Sequence, residues 1–229
     1  MNLGEIRQRV LDNLGDDGQA WAPPGEAEPY ARLDRLINDT IDELSVLIER
    51  VDPTFSVKNA MLTLADEAGV DTGIGFKSTA SLPVDFRRVV SLWEHAIGID
   101  PQQVNIVAPD RIPYYFGNGE SIAYLRQVET DADPNLIETA SNEIIFQQRR
   151  AGALYYTLWY AARPKSMTKQ ADVPTIPLEF HYAIVLGSTV RALAQEDSDT
   201  RDFRKSYETA KVEMLAALPR RDGSQMAVA

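Results

Sequence analysis

The 229-residue chain has two histidines, His95 and His181, and no cysteine. A Ser-His-Asp type of proton relay would therefore have to be built on one of these two rings. His181 stands in Phe180-His181-Tyr182, at the head of an apolar helical stretch, and His95 follows Trp93-Glu94 at a strand end. Neither adjoins a nucleophile: Gly-x-Ser-x-Gly is absent, and Gly187-Ser188-Thr189 falls in mid-helix rather than on a strand-to-helix elbow. His181 is accordingly read as a structural histidine. The lack of cysteine excludes disulfides, thiol chemistry and Cys-containing zinc sites.

Other chemical patterns fail at identifiable positions. Asp131-x-Asp133-x-Asn135 copies the first three ligand positions of a calcium loop, but Leu136 replaces the required glycine and Asn142 replaces the bidentate glutamate. It is read as a solvated turn. Gly69, Gly73 and Gly75 do not space as a dinucleotide fingerprint, and Phe76 separates Gly75 from Lys77-Ser78, so no phosphate loop forms. The adjacent carboxylates Asp16-Asp17 and Asp42-Glu43 do not face one another on a helix, and Asn38-Asp39-Thr40 is a chance glycosylation match inside a helix. No catalytic residue, metal ligand or cofactor is assigned.

Interaction chemistry is better represented. Tyr114, Tyr115, Tyr155, Tyr156, Trp159 and Tyr160 are candidate exposed aromatics, and Arg149, Arg150, Arg163, Lys165 and Lys169 bracket the last strand. These cations form either a patch for an acidic surface or the polar rim of a sheet. Lys and Arg number 23 against 34 Asp and Glu, a balance of −11, which lacks the basic footprint of a nucleic-acid gripper. Residues 1–50 carry 5 basic and 11 acidic groups, whereas 181–229 carry 7 of each.

The elements that hold these residues follow from periodicity. Leu3, Ile6, Val10, Leu11 and Leu14 predict a helix over 3–14 stopped by Gly15. A loop with Trp21 and Pro23-Pro24 follows, then a helix of roughly 33 Å from Pro29 to Arg50. Its apolar face is Tyr30, Leu33, Ile37, Ile41, Leu44, Ile48 and Val51, and Asp52-Pro53 ends it. Short β-rich runs occupy 61–64, 74–76, 89–93, 122–125, 136–137, 144–146 and 153–160, with one helical turn over 100–107. The run 153–160 carries aromatics on both faces, which implies a strand covered on both sides or one facing a neighbour. Pro177 then opens a mostly buried helix over 178–195, the expected centre of the core. A last helix spans 200–218. No signal peptide or membrane span is recognised, so a soluble protein is expected.

The expected fold is α+β, a four-helix cluster drawn from both chain ends with an inserted antiparallel β module. The divisions are 1–53 for the N-terminal helices, 54–176 for the β module, 177–218 for the C-terminal helices of the same core, and 219–229 for a flexible tail.

Leu82-Pro83-Val84-Asp85-Phe86-Arg87-Arg88-Val89-Val90, Pro113-Tyr114-Tyr115, Ile144-Ile145-Phe146 and the strand ending Tyr156 to Tyr160 carry a resemblance. So do Ala162-Arg163-Pro164, Met167-Thr168, Asp172, Pro174-Thr175-Ile176-Pro177 and the final helix with Tyr207 and Ala210. In these elements the chain resembles the head-to-tail adaptor (connector or head-completion) proteins of tailed bacteriophages. It departs from their pattern after Phe146, where Gln147-Gln148-Arg149-Arg150 replaces the usual proline.

The resemblance implies a non-enzymatic virion protein of the neck, assembled in the host cytoplasm. Twelve copies would form a ring below the portal, prolong the DNA channel and give a platform to tail or nozzle proteins. Double-stranded DNA would pass without sequence-specific binding, and no membrane is involved. A ring needs a heterologous interface. By the same resemblance Pro219, Arg220, Arg221 and Met226 would dock into the portal, and Tyr114, Tyr115, Arg149, Arg150 and Trp159 would form a subunit or tail interface. An aromatic-lined small-molecule or carbohydrate-binding module is the second class, and a carboxylate-histidine hydrolase the third.

Overall fold

The computed structural model describes residues 1–15, 21, 30–62, 65–71, 76–96, 98–107, 122–127, 142–148 and 153–218. The described helices are α1 (Leu3–Leu14), α2 (Ala31–Val51), α3 (His181–Gln195) and α4 (Arg201–Ala217). Among the described residues nine strands lie between α2 and α3: β1 (Val57–Leu62), β2 (Ala65–Asp71), β3 (Phe76–Ser81), β4 (Phe86–Ala96) and β5 (Ile99–Gln103), then β6 (Asn105–Ile106), β7 (Ile122–Gln127), β8 (Asn142–Gln148) and β9 (Ala153–Ala162). The architecture is thus mixed α+β. Two compact units result, Val57–Ala162 and Met1–Ser56 joined by Arg163–Ala229.

In the helical unit α1 begins with a capping box. The Asn2 side chain accepts from the Glu5 N–H at 2.9 Å, and the Glu5 carboxylate accepts from the Asn2 N–H at 3.0 Å. Gly15, at φ 66°, closes the helix in the left-handed region. α2 ends where Asp52 turns the chain, its carboxylate accepting from both the N–H and the hydroxyl of Thr54. Leu3, Ile6, Val10 and Leu11 of α1 join Leu33, Ile37, Ile41, Leu44 and Ile48 of α2 in one buried cluster, together with Ile184, Val185 and Leu186 of α3 and Tyr207 and Met214 of α4.

α3 is buried through Ala183–Thr189. Its small residues are what admit the neighbours. A Cβ on Gly187 would stand 2.5 Å from Thr40 Cγ2 and 2.8 Å from the Tyr207 ring. The buried hydroxyls here donate to carbonyls one turn back, Thr40 to Leu36, Ser188 to Ile184 and Thr189 to Val185, which satisfies the donors locally, while Thr189 also accepts from the Asn13 side chain of α1 at 3.2 Å.

Several expectations are corrected. The apolar helix begins at His181 rather than 178, because Pro177 starts a 3₁₀ turn over Leu178–Phe180 in which the Phe180 N–H donates to the Pro177 carbonyl at 2.9 Å. Residues 163–176, assigned by sequence to the β module, run with the helices, where Met167 and Ile176 are buried. Trp21 does lie in a turn, as expected, but is 1% exposed. Its indole N–H donates to Glu196 at 2.8 Å beneath the Arg32 guanidinium, 4.2 Å from the ring centroid. The expected helical turn over 100–107 is instead β5 and β6. Gly98, at φ 71°, turns the chain so that β5 pairs back on β4, and Pro101 is tolerated because β5 is an edge strand.

The β unit contains a four-stranded sheet in the order β1-β9-β4-β5 and a five-stranded sheet in the order β2-β3-β8-β7-β6. All pairings are antiparallel except β6 with β7. Leu62, Leu92, Tyr156, Leu158 and Tyr160 of the first sheet share a core with Ala80, Ala123, Ile144 and Phe146 of the second. The runs expected at 136–137 and most of 74–76 lie outside the described residues.

Gly187→Ala tests the packing of α3. Alanine is the better helix former by about 1 kcal/mol, yet forcing a methyl into this gap should cost about 1–3 kcal/mol net. The thermal midpoint followed at 222 nm should fall, and an unchanged or raised midpoint would contradict the close approach.

Candidate interaction surfaces

Strand β9 lies between β1 and β4, and its alternation sorts its aromatics into two faces. Tyr156 and Tyr160 are buried, which removes both from the expected set of exposed aromatics. The opposite face carries Tyr155, 40% exposed, and Trp159, 37% exposed. Register extends this face across the sheet. Asn59 and Ser91 flank Trp159, Met61 and Trp93 flank Thr157, His95 stands opposite Tyr155, and Gln103 stands opposite Trp93.

The surface so formed is ordered. His95 and Tyr155 stack at 4.4 Å with planes 10° apart, Thr157 Oγ1 lies 3.2 Å from His95 Nε2, and the Trp93 indole N–H donates to Ser91 Oγ at 3.0 Å. Met61 is 72% exposed. No Asp, Glu, Lys or Arg stands among these residues. A half-exposed aromatic block with short neutral polar neighbours can stack, pack and exclude water, which is the chemistry of a protein interface centre. Of the residues expected at an interface, Trp159 lies on this face. Trp93, His95 and Met61 were not assigned to it, because only the β1-β9-β4 register brings them alongside.

Tyr114, Tyr115, Arg149 and Arg150 lie outside the described residues, as do Pro219, Arg220, Arg221 and Met226.

The Leu82-Pro83-Val84-Asp85-Phe86 turn has a defined task. The Phe86 N–H donates to the Pro83 carbonyl, and Phe86 is buried 6.0 Å from the Tyr160 ring centroid. Asp85 accepts from the Tyr160 hydroxyl at 2.9 Å and from Lys58 at 2.6 Å, so one carboxylate ties the entrance of β4 to β9 and β1. Burial opposes ionisation of Asp85, but the bonds from Lys58 and Tyr160 outweigh it and hold its carboxyl below the ordinary value. Burial and then the Asp85 charge push the Tyr160 phenol up to about 12.

His181 is buried between α1 and the segment leading into α3. Its Nδ1 accepts from the Met1 nitrogen at 2.9 Å and its Nε2–H donates to the Ile176 carbonyl at 2.8 Å, which fixes a neutral tautomer. Burial holds its affinity for a second proton below the ordinary value. This geometry is that of a structural histidine.

Among the described residues no group of three or more His, Asp or Glu is gathered as a metal would require, and no described helix is long and apolar enough to cross a membrane. A family model described as SU10 adaptor protein matches residues 1–229. No curated protein matches the chain significantly.

Two measurements check these networks. In a double-mutant cycle, Asp85→Asn and Tyr160→Phe should couple by about 1 kcal/mol in urea unfolding, and additive losses would contradict the bond. His181, with its folded value lowered, takes up a proton more readily unfolded, so stability should be full above about 6.5 and decline as pH falls below it. His181→Gln should flatten the dependence of the 222 nm midpoint between pH 6.5 and 5.5; an unchanged slope would contradict burial of the neutral ring.

Proposed function

The chain belongs to the SU10 adaptor protein family, a family of phage head-to-tail adaptors, and from that membership we propose that it is the subunit of a ring in the virion neck. Twelve copies sit below the portal, continue the DNA channel and give tail or nozzle proteins their platform. The observation that carries this reading is the family match over residues 1–229.

The surfaces suit it. The uncharged block of Met61, Trp93, Tyr155 and Trp159 offers a desolvated centre for a tail protein or a neighbouring subunit, and Tyr114, Tyr115, Arg149 and Arg150 extend that interface. The segment after α4, with Pro219, Arg220, Arg221 and Met226, docks into the portal. A net charge of −11 keeps DNA sliding through the channel from adhering, since like charges repel.

Native mass measurement of the purified protein, alone and with its portal, tests the ring. A discrete twelvefold species, formed alone or on the portal, is expected. A monomer that ignores the portal and binds a sugar on its aromatic face would overturn the reading in favour of a carbohydrate-binding module. Trp159→Ala with Tyr155→Ala should weaken capture of the tail protein at least about thirtyfold, as loss of a hot spot of about 2 kcal/mol would.

A further inference from the structure

Among the described residues, the large apolar side chains of the helical unit that stand exposed are Val173, Leu178, Tyr182 and Val212. Three of these fall within 173–182, the stretch that leads into α3 and opens it, and each of the three is more than half exposed. The backbone beneath them is fixed. Pro174, Ile176 and His181 are buried, the His181 Nε2–H donates to the Ile176 carbonyl at 2.8 Å, and the Phe180 N–H donates to the Pro177 carbonyl at 2.9 Å. Leu178 and Tyr182 therefore stand one turn apart on ordered backbone. A single exposed apolar residue needs no explanation, but a group of them on a fixed surface invites a cover.

The chain itself supplies one nearby. α3 and α4 are joined by the five residues 196–200 and meet where a Cβ on Gly187 would stand 2.8 Å from the Tyr207 ring. From that contact the joining turn lies about 12 Å along α3 and about 9 Å along α4, so the two helices form an antiparallel hairpin. In the other direction Leu218 lies about 16 Å from the contact and Leu178 about 15 Å, at the rise of an α-helix and of a 3₁₀ turn. α4 thus ends level with Leu178, roughly one helix spacing of 8–10 Å away. The Leu218 N–H donates to the Met214 carbonyl at 3.2 Å, and its side chain packs on the helical core, so the chain leaves α4 from a fixed point.

The segment that follows has Asp222-Gly223, a turn dipeptide, near its middle. Beyond it Met226 and Val228, two residues apart, share one side of an extended chain. From Leu218 to Met226 the chain can reach up to about 28 Å, which spans the helix spacing even when it reverses at Asp222-Gly223. We propose that in the free subunit residues 219–229 fold back on the head of α3 and lay Met226 and Val228 on Leu178 and Tyr182. The short tether favours this occupant over a separate partner, because it holds the segment at about millimolar effective concentration. The inference goes beyond the ring reading: docking in the portal uses the same segment and must first release it.

The chain has no cysteine, so an introduced pair reports the contact on the full-length protein. Glu179→Cys with Ala227→Cys leaves Leu178, Tyr182, Met226 and Val228 in place. Glu213→Cys with Ala227→Cys is the control, since Glu213 is also exposed and lies closer in sequence to the segment. With oxidised glutathione the first pair should form an intramolecular disulfide at least about fivefold faster than the control. Adding Leu178→Ser and Tyr182→Ser should abolish that advantage, and circular dichroism verifies that each variant is folded. Equal rates, or an advantage that survives the serine substitutions in folded protein, would overturn the proposal. A disulfide formed mainly between copies, at a rate rising with concentration, would equally overturn it and give the patch to the segment of a second copy. Portal binding is read separately: wild type that ignores the portal removes the portal reading of this segment, while the disulfide rates still decide where it rests in the free subunit.

Discussion

The pairing of β1 with β9 is the constraint on which the rest depends. The helical core is made from residues near both ends of the sequence, so whatever lies between must return the chain close to where it left. The antiparallel register does this, with Val57 opposite Ala161 and Leu62 opposite Tyr156. Paired strands lie about 5 Å apart, which lets the chain leave at Ser56 and re-enter at Arg163 beside itself. Asp85 reinforces that seam by binding Lys58 of β1 and Tyr160 of β9 from the start of β4. The same register aligns Met61, Trp93 and Trp159 on one face.

Local pattern made much of this legible. The periods of α1, α2 and α4, the stop at Gly15 and the break at Asp52-Pro53 are properties of a few consecutive residues. What stayed illegible depends on partners distant in sequence. Trp21 looks like a loop residue until Glu196 and Arg32 enclose it. Residues 100–107 contain proline and polar residues that suggest a turn, and only β4 beside the first part and β7 beside the second make strands favourable. Tyr156 and Tyr160 differ from Tyr155 and Trp159 in parity alone, and parity assigns no face until the opposing sheet is known. The resemblance carried by Leu82–Phe86 and by Met167 to Pro177 proved structural in content: the first segment anchors three strands, and the second is clamped by Asn38 and the head of α1.

Charge in the helical unit joins its elements. Half-buried pairs such as Arg7 with Asp34 and Arg191 with Glu43 join helices, where such contacts fix geometry more than they add stability. The aromatic face of the β unit keeps charge away altogether.

An electron cryomicroscopy map of the protein assembled on its portal tests the account most directly. The account predicts Trp159, Trp93 and Met61 covered by protein. A map in which the aromatic face is bare, or in which Arg163, Lys165 and Lys169 line the DNA channel, would contradict it.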